Sequence, residues 1–145
     1  MPDAPFHALA FDYGLKFIGV AHGQSLTGTA AALPPIAARD GVPDWTVVEK
    51  LLAEWRPQRV VVGLPLNMDG SESPMSERAR KFAQRLHGRF GVPVALVDER
   101  LSSFEARGQI LAQGSRDFRA RQVDGRAAVV ILESWLSDRA TGCRE

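Results

Sequence analysis

Cysteine is nearly absent from this chain: Cys143 is the only one among 145 residues. A lone cysteine excludes an intramolecular disulfide and any cysteine-built zinc cluster, and it suits a reducing compartment. Long hydrophobic runs are missing too. The stretch 17–38 carries no charge, but its Gly, Thr, Ser and Gln residues and the pair Pro34-Pro35 disqualify it as a membrane span. No basic segment followed by an apolar core opens the chain, so no secretory signal is visible and a cytoplasmic location is expected. Repeats, linkers and low-complexity tracts are also lacking. With 45% hydrophobic and 24% charged residues the composition excludes a disordered or fibrous protein. A chain of this size buries roughly 68–70% of its unfolded surface, enough for one domain over 1–145 with residues 138–145 as a flexible tail.

Net charge is small as well, +1, but it is unevenly spread. Residues 1–77 hold 5 basic and 9 acidic side chains, whereas residues 78–126 hold 11 basic and 5 acidic ones. Fifteen of the 18 basic residues are arginine, whose planar fork matches phosphate oxygens in pairs. Two solvated helix faces or a phosphate-facing surface would both produce this asymmetry.

The apolar pattern predicts an α/β fold. His7–Asp12, Phe17–His22 and Gly28–Leu33 read as three strands in an antiparallel meander, the last ended by Pro34-Pro35. Asp44 caps a helix with Val48, Leu51, Leu52 and Trp55 on one face, and Pro57 stops it. Arg59–Leu64 is β-branched without polar alternation, as in a strand covered on both sides. Ser73-Pro74 opens a second helix with Ala79, Phe82, Ala83, Leu86 and Phe90 inward and Arg78, Arg80, Lys81, Arg85 and Arg89 around the rest. Val94–Asp98 is a fifth strand. A helix from Ser102 to about Gln113, a mobile basic loop over 114–122 and a last helix from about Val123 to Ser137 complete a mixed five-stranded sheet flanked by helices.

Three carboxylates stand where carboxylates are costly. Asp12 ends an apolar strand, Glu99 follows another directly, and Asp124 shares a helical stripe with Ala127, Ala128, Ile131, Leu132 and Trp135. Singly, each has an ordinary role: a turn at Gly14, a pair with Arg100, a helix cap. Together, at one end of adjacent parallel strands, they would repel one another, and a hard divalent cation relieves that. All-oxygen ligation suits Mg²⁺ or Mn²⁺, which can activate water and stabilise a leaving oxygen in phosphoryl displacement. His7, His22 and His87 are too scattered for a ligand cluster and read as structural or solvent-facing.

Phe11–Ala21, Val62–Gly70, Asp98–Ser103 and Val123–Leu132, in that order, resemble the motifs of the YqgF/RuvX family of pre-16S rRNA nucleases, relatives of Holliday-junction resolvases. The resemblance implies a ribonuclease H-like fold and a cytoplasmic bacterial nuclease that matures the 5′ end of 16S rRNA. It implies that Asp12, Glu99 and Asp124 bind metal. Lys16 and Arg100 then lie near the scissile phosphate, and Asn67 with Asp69–Ser71 forms a loop beside the cleft. Phe17 departs from a common arginine, and Gly125 from a common serine.

The expected function is a metal-dependent endonuclease on structured RNA, including pre-16S rRNA within a pre-ribosomal particle. Arg78 and Arg85 of the arginine-rich helix and the loop 114–122 would follow the phosphate backbone. Resolution of four-way DNA junctions by a homodimer and a non-catalytic role in ribosome assembly or transcription are the alternatives, and the expected state is monomer or homodimer.

Overall fold

The structure is a computed structural model and describes residues 5–65, 69–98 and 126–141. Its elements are β1 (His7–Asp12), β2 (Phe17–Gln24), β3 (Thr29–Arg39), β4 (Val42–Pro43), α1 (Trp45–Trp55), β5 (Arg59–Leu64), α2 (Pro74–Phe90), β6 (Val94–Asp98) and α3 (Arg126–Thr141). The strands form one sheet in the order β4-β3-β2-β1-β5-β6. β1 pairs antiparallel with β2 and parallel with β5, and β5 pairs parallel with β6, so β1 is the hinge between a meander and a parallel half.

The bounds of β1, β5 and β6 are those that the apolar runs predict. The meander is longer than expected. β3 passes through Pro34 and Pro35 and ends at Arg39, and β4 adds a sixth strand to the expected five. The reason lies in the pairing. Ile18 stands opposite Ile36 but Val20 opposite Leu33, so both prolines fall in a bulge where no ladder bond is asked of them.

Each face of the sheet is buried by helices whose ends the sequence encodes. Asp44 Oδ1 accepts from the Thr46 amide at 3.0 Å, and Arg56, at φ 44°, donates its amide to the Leu52 carbonyl before Pro57. Ser73 and Ser76 cap α2 reciprocally: the Ser73 amide donates to Ser76 Oγ at 3.0 Å, and the Ser76 amide to Ser73 Oγ at 3.3 Å. Gly91 ends α2 at φ 70°, a conformation that a side chain resists. α1 and α2 cover one face through Val48, Ala79, Phe82, Ala83 and Leu86 over Leu9, Phe11, Ile18, Val20, Val60 and Val62.

α3 covers the other face, with Ala128, Ile131, Leu132 and Leu136 over Ala8, Ala10, Ala21 and Val61. The expected stripe of Ala127, Ala128, Ile131, Leu132 and Trp135 is the buried or half-buried side of this helix. The helix continues to Thr141, past Ser137. Its direction is fixed by its contacts. Leu132 Cδ2 lies 3.0 Å from where a Cβ on Gly23 would stand, and Trp135 meets Phe6 edge-on at 5.9 Å, so α3 runs away from the Asp12 end of the sheet.

Ser76 is fully buried, and its hydroxyl also donates to the Pro65 carbonyl, tying the start of α2 to the end of β5. Ser76→Ala removes one half of the cap and leaves that carbonyl only the longer contact from the Ser73 hydroxyl, at 3.5 Å. A loss of about 1–2 kcal/mol is expected. A urea unfolding curve with an unshifted midpoint would show that this tie carries no stability.

Candidate active site at the carboxyl edge of the parallel strands

The carboxyl ends of β1, β5 and β6 lie side by side. Phe11 stands opposite Val62, Gly63 opposite Val97 and Leu64 opposite Asp98. Asp12, one residue past Phe11, is therefore level with Gly63 and Val97, and on its other side it pairs with Gly19 of β2. Neighbouring strands are about 4.8 Å apart, which puts the β6 backbone about 10 Å from that of Asp12.

The faces alternate. Phe11, Ile18, Val20 and Val62 belong to the core under α1 and α2, so Asp12, Gly19 and Gly63 belong to the α3 face, as Ala10, Ala21 and Val61 do. The half-buried Asp12 side chain thus rises between two glycines that carry none. A glycine inside a β-branched run weakens a strand and marks a place where something approaches the backbone closely.

The β1–β2 turn at this edge is held from outside. The Ala38 amide donates to the Lys16 carbonyl at 2.8 Å and the Gly41 amide to the Leu15 carbonyl at 2.9 Å. Tyr13 donates its hydroxyl to the Gly41 carbonyl at 2.8 Å. A Cβ on Gly14 would stand 2.4 Å from the Phe17 carbonyl oxygen, so only glycine fits this turn. The hairpin between β3 and β4 thereby braces the segment that follows Asp12.

A family model described as RuvX, Holliday junction resolvase, matches residues 7–138. The chain belongs to the RuvX family. A relative from Azotobacter vinelandii, provisionally named a pre-16S rRNA nuclease, is 60% identical over 135 residues, covering 92% of this chain and 95% of the relative. One of the same provisional name from Citrobacter koseri is 60% identical over 129 residues, covering 88% of this chain and 94% of the relative. Among solved structures, Thermus thermophilus RuvC in complex with a Holliday junction substrate matches with a TM-score of 0.57 at 14% identity, over 92% of this chain and 95% of that one. The yeast mitochondrial Holliday junction resolvase Ydc2 matches with a TM-score of 0.54 at 10% identity, over 92% of this chain and 78% of that one. At such identities the likeness is one of fold, the ribonuclease H-like fold that the sequence motifs imply.

Of the expected RuvX site residues, Asp12 and Lys16 lie at the edge, Lys16 with an exposed side chain. Glu99, Arg100, Asn67 and Asp124 lie outside the described residues, as do the segment Ser102–Gln113 and the loop 114–122. Next to Asn67, Asp69 Oδ1 accepts from the Ser71 amide at 2.9 Å and the Ser71 hydroxyl at 2.6 Å, a turn at Gly70.

The arginine helix packs on the face opposite the Asp12 side chain, but its first turn reaches the same edge through the Ser76–Pro65 contact. Arg78 is already engaged there. Its Nη1 donates to the Asp40 carbonyl at 3.1 Å and lies 3.5 Å from the Asp40 carboxylate. Arg80 Nε donates to Glu72 Oε2 at 2.8 Å, a contact that lowers the Glu72 pKa and raises that of Arg80. Arg89 lies over the Trp45 ring, 4.5 Å from its centroid. Lys81 and Arg85 are exposed, and Arg85 stands seven residues, about 10 Å, along α2 from Arg78.

Two of the histidines meet, which their sequence separation hides. His7 and His22 stack at 6.1 Å between centroids, and His22 lies 3.9 Å from the Trp55 ring. Burial first, and His7 second, hold the His22 pKa below its ordinary value. His7 opens the strand that Asp12 ends, so this pair is at the far end of the sheet from the acid. Sequence reasoning passed over Gly19, Gly63 and the Tyr13–Gly41 tie. A lone glycine among β-branched residues was the available signal for the first two.

Proposed function

We propose that this RuvX-family chain is a divalent-metal-dependent endonuclease that hydrolyses phosphodiester bonds of structured RNA and matures the 5′ end of 16S rRNA from its precursor in the cytoplasm. The observation that carries the reading is the position of Asp12 between Gly19 and Gly63, at the edge where β1, β5 and β6 end together. The names of the 60%-identical relatives supply the RNA.

Asp12, Glu99 and Asp124 would hold the metal. Glu99 is one residue past the end of β6, and Asp124 is two residues before α3, within about 7 Å of chain from Arg126. Ala128 packs among Ala10 and Ala21, and Asp124 precedes it by four residues in sequence. These are oxygen donors only, beside a carboxylate with no side chain on either neighbouring row, and that chemistry fits Mg²⁺ or Mn²⁺. The bound ion would polarise the phosphoryl group and lower the pKa of a water. The protein's own part is to bind and orient. Lys16 and Arg100 would neutralise phosphate oxygens, and the loop containing Asn67 and Asp69–Ser71 would border the strand being cut. Lys81 and Arg85, which have no carboxylate partner among the described residues, offer cationic contacts to phosphates beyond the edge.

Purified protein incubated with a pre-16S RNA and, separately, a four-way DNA junction, each with Mg²⁺, Mn²⁺ or EDTA, tests this reading. Metal-dependent cutting of the RNA that Asp124→Asn abolishes is the expected result. The family's description and the fold favour junction resolution as the second reading, and cutting of the junction alone, by a homodimer, would put it first. Lys81→Gln and Arg85→Gln are each expected to weaken RNA binding and to lower the slope of log affinity against log salt by about one. An unchanged slope in both would remove α2 from the interface.

A further inference from the structure

An aromatic residue stands partly exposed beside the candidate active site, outside both core clusters of the described residues. Phe17 opens β2 and is 45% exposed, whereas Ile18, next to it, is fully buried. Ile18 and Val20 point into the core under α1 and α2, so Phe17 and Gly19 are on the Asp12 face. Gly19 is the partner of Asp12, and Phe17 is two residues further along the strand, about 7 Å. The Cα atoms of Phe17 and Asp12 are then about 8 Å apart, within the span of one nucleotide.

Among the described residues, those paired with this position along the backbone are small. Across the ladder Phe17 faces Ala37, itself exposed, and the turn beside it is Gly14, close against the Phe17 carbonyl. Leu15, 40% exposed, and Lys16 precede it on the same turn. Scattered exposed apolar residues are ordinary on any surface. Phe17 is set apart by its place. A flat apolar ring on a braced turn, next in sequence to an exposed lysine and one strand from the acid, has the composition of a stacking platform with a phosphate contact beside it.

We infer that Phe17 stacks on an unpaired nucleobase next to the scissile phosphodiester, so that the enzyme favours a cleavage site flanked by a single-stranded nucleotide over one in continuous duplex. The inference rests on the nuclease reading and narrows its substrate. Stacking of this kind is insensitive to base identity, since every base has a π face, so it selects for strandedness rather than sequence. The base would lie over the ring while Lys16 meets a phosphate oxygen, which turns the backbone toward Asp12.

The test is a cycle of two changes. RNA substrates carry an intact or an abasic nucleotide at each position flanking the cut, and wild type, Phe17→Ala and Phe17→Trp are compared by kcat/KM. In wild type one abasic position is expected to lower kcat/KM about tenfold. Phe17→Ala should show that loss already with intact RNA and no further loss at the abasic position, while Phe17→Trp should keep the wild-type pattern. Equal abasic penalties in wild type and Phe17→Ala would overturn the stacking role while leaving the nuclease intact. If wild type cuts no RNA at all, the nuclease reading falls and this inference with it. A rate that depends on protein concentration, with Phe17→Ala shifting a dimer to monomer in sedimentation, would assign the ring to a second copy of the chain instead and overturn the inference.

Discussion

Asp12→Asn is expected to lower metal-dependent RNA cleavage by about 10³-fold, because a metal that loses a ligand forfeits several kcal/mol of transition-state stabilisation. The substitution is nearly isosteric, so the melting temperature should hold near the wild-type value. Both readouts matter. A variant that lost activity by unfolding would melt early, whereas loss of activity with an unchanged melting curve locates the defect in the site. The weakened Mn²⁺ affinity of the variant, measured by titration without RNA, is the third arm. Cleavage within fivefold of wild type at saturating metal would remove Asp12 from the chemistry and leave the carboxylate as a strand-end residue.

β1, which holds this acid, and β5 beside it were legible because each is buried on both faces. Val60, Val61 and Val62 need no alternation to read as a strand, and their ends are marked by Pro57 before and Pro65 after. The helix starts were equally legible: Asp44 and the pair Ser73-Pro74 satisfy local amides, and local chemistry is visible in sequence. What failed to show was register. Two adjacent prolines end a strand in most settings, and only the register of β3 against β2 reveals the bulge that admits them.

The same holds for charge. Counting arginines on α2 gives a cationic face, but the Asp40 that engages Arg78 is 38 residues away in sequence, and no periodicity announces it. Gly19 and Gly63 flank Asp12 only once three strands are laid in register. The acids proposed for the site were picked out singly by their cost and jointly by motif. The two glycines beside Asp12 could not, because an absent side chain acquires meaning only from its neighbours.

Phe11→Ala should unfold the protein more readily than any surface change, by about 3–5 kcal/mol. Phe11 is fully buried, with its ring edge-on to Phe82 at 5.6 Å, and Phe82 in turn meets Tyr13 at 5.3 Å and Trp45 at 5.8 Å. Truncation leaves a cavity against the Phe82 ring, in an aromatic cluster that α1 and α2 share, and a close-packed interior collapses into it only in part. For a domain of this size the melting temperature should fall by about 10 °C. The comparison with its neighbour sharpens the expectation. Phe11 and Asp12 are adjacent in sequence but project to opposite faces of β1, one into packing and the other into the candidate site. Activity per folded molecule, measured well below the melting temperature, should therefore fall far less in Phe11→Ala than in Asp12→Asn, while stability falls far more. If both substitutions cost activity and stability alike, the two faces of β1 are not separable, and the acid acts through the core rather than at the sheet edge.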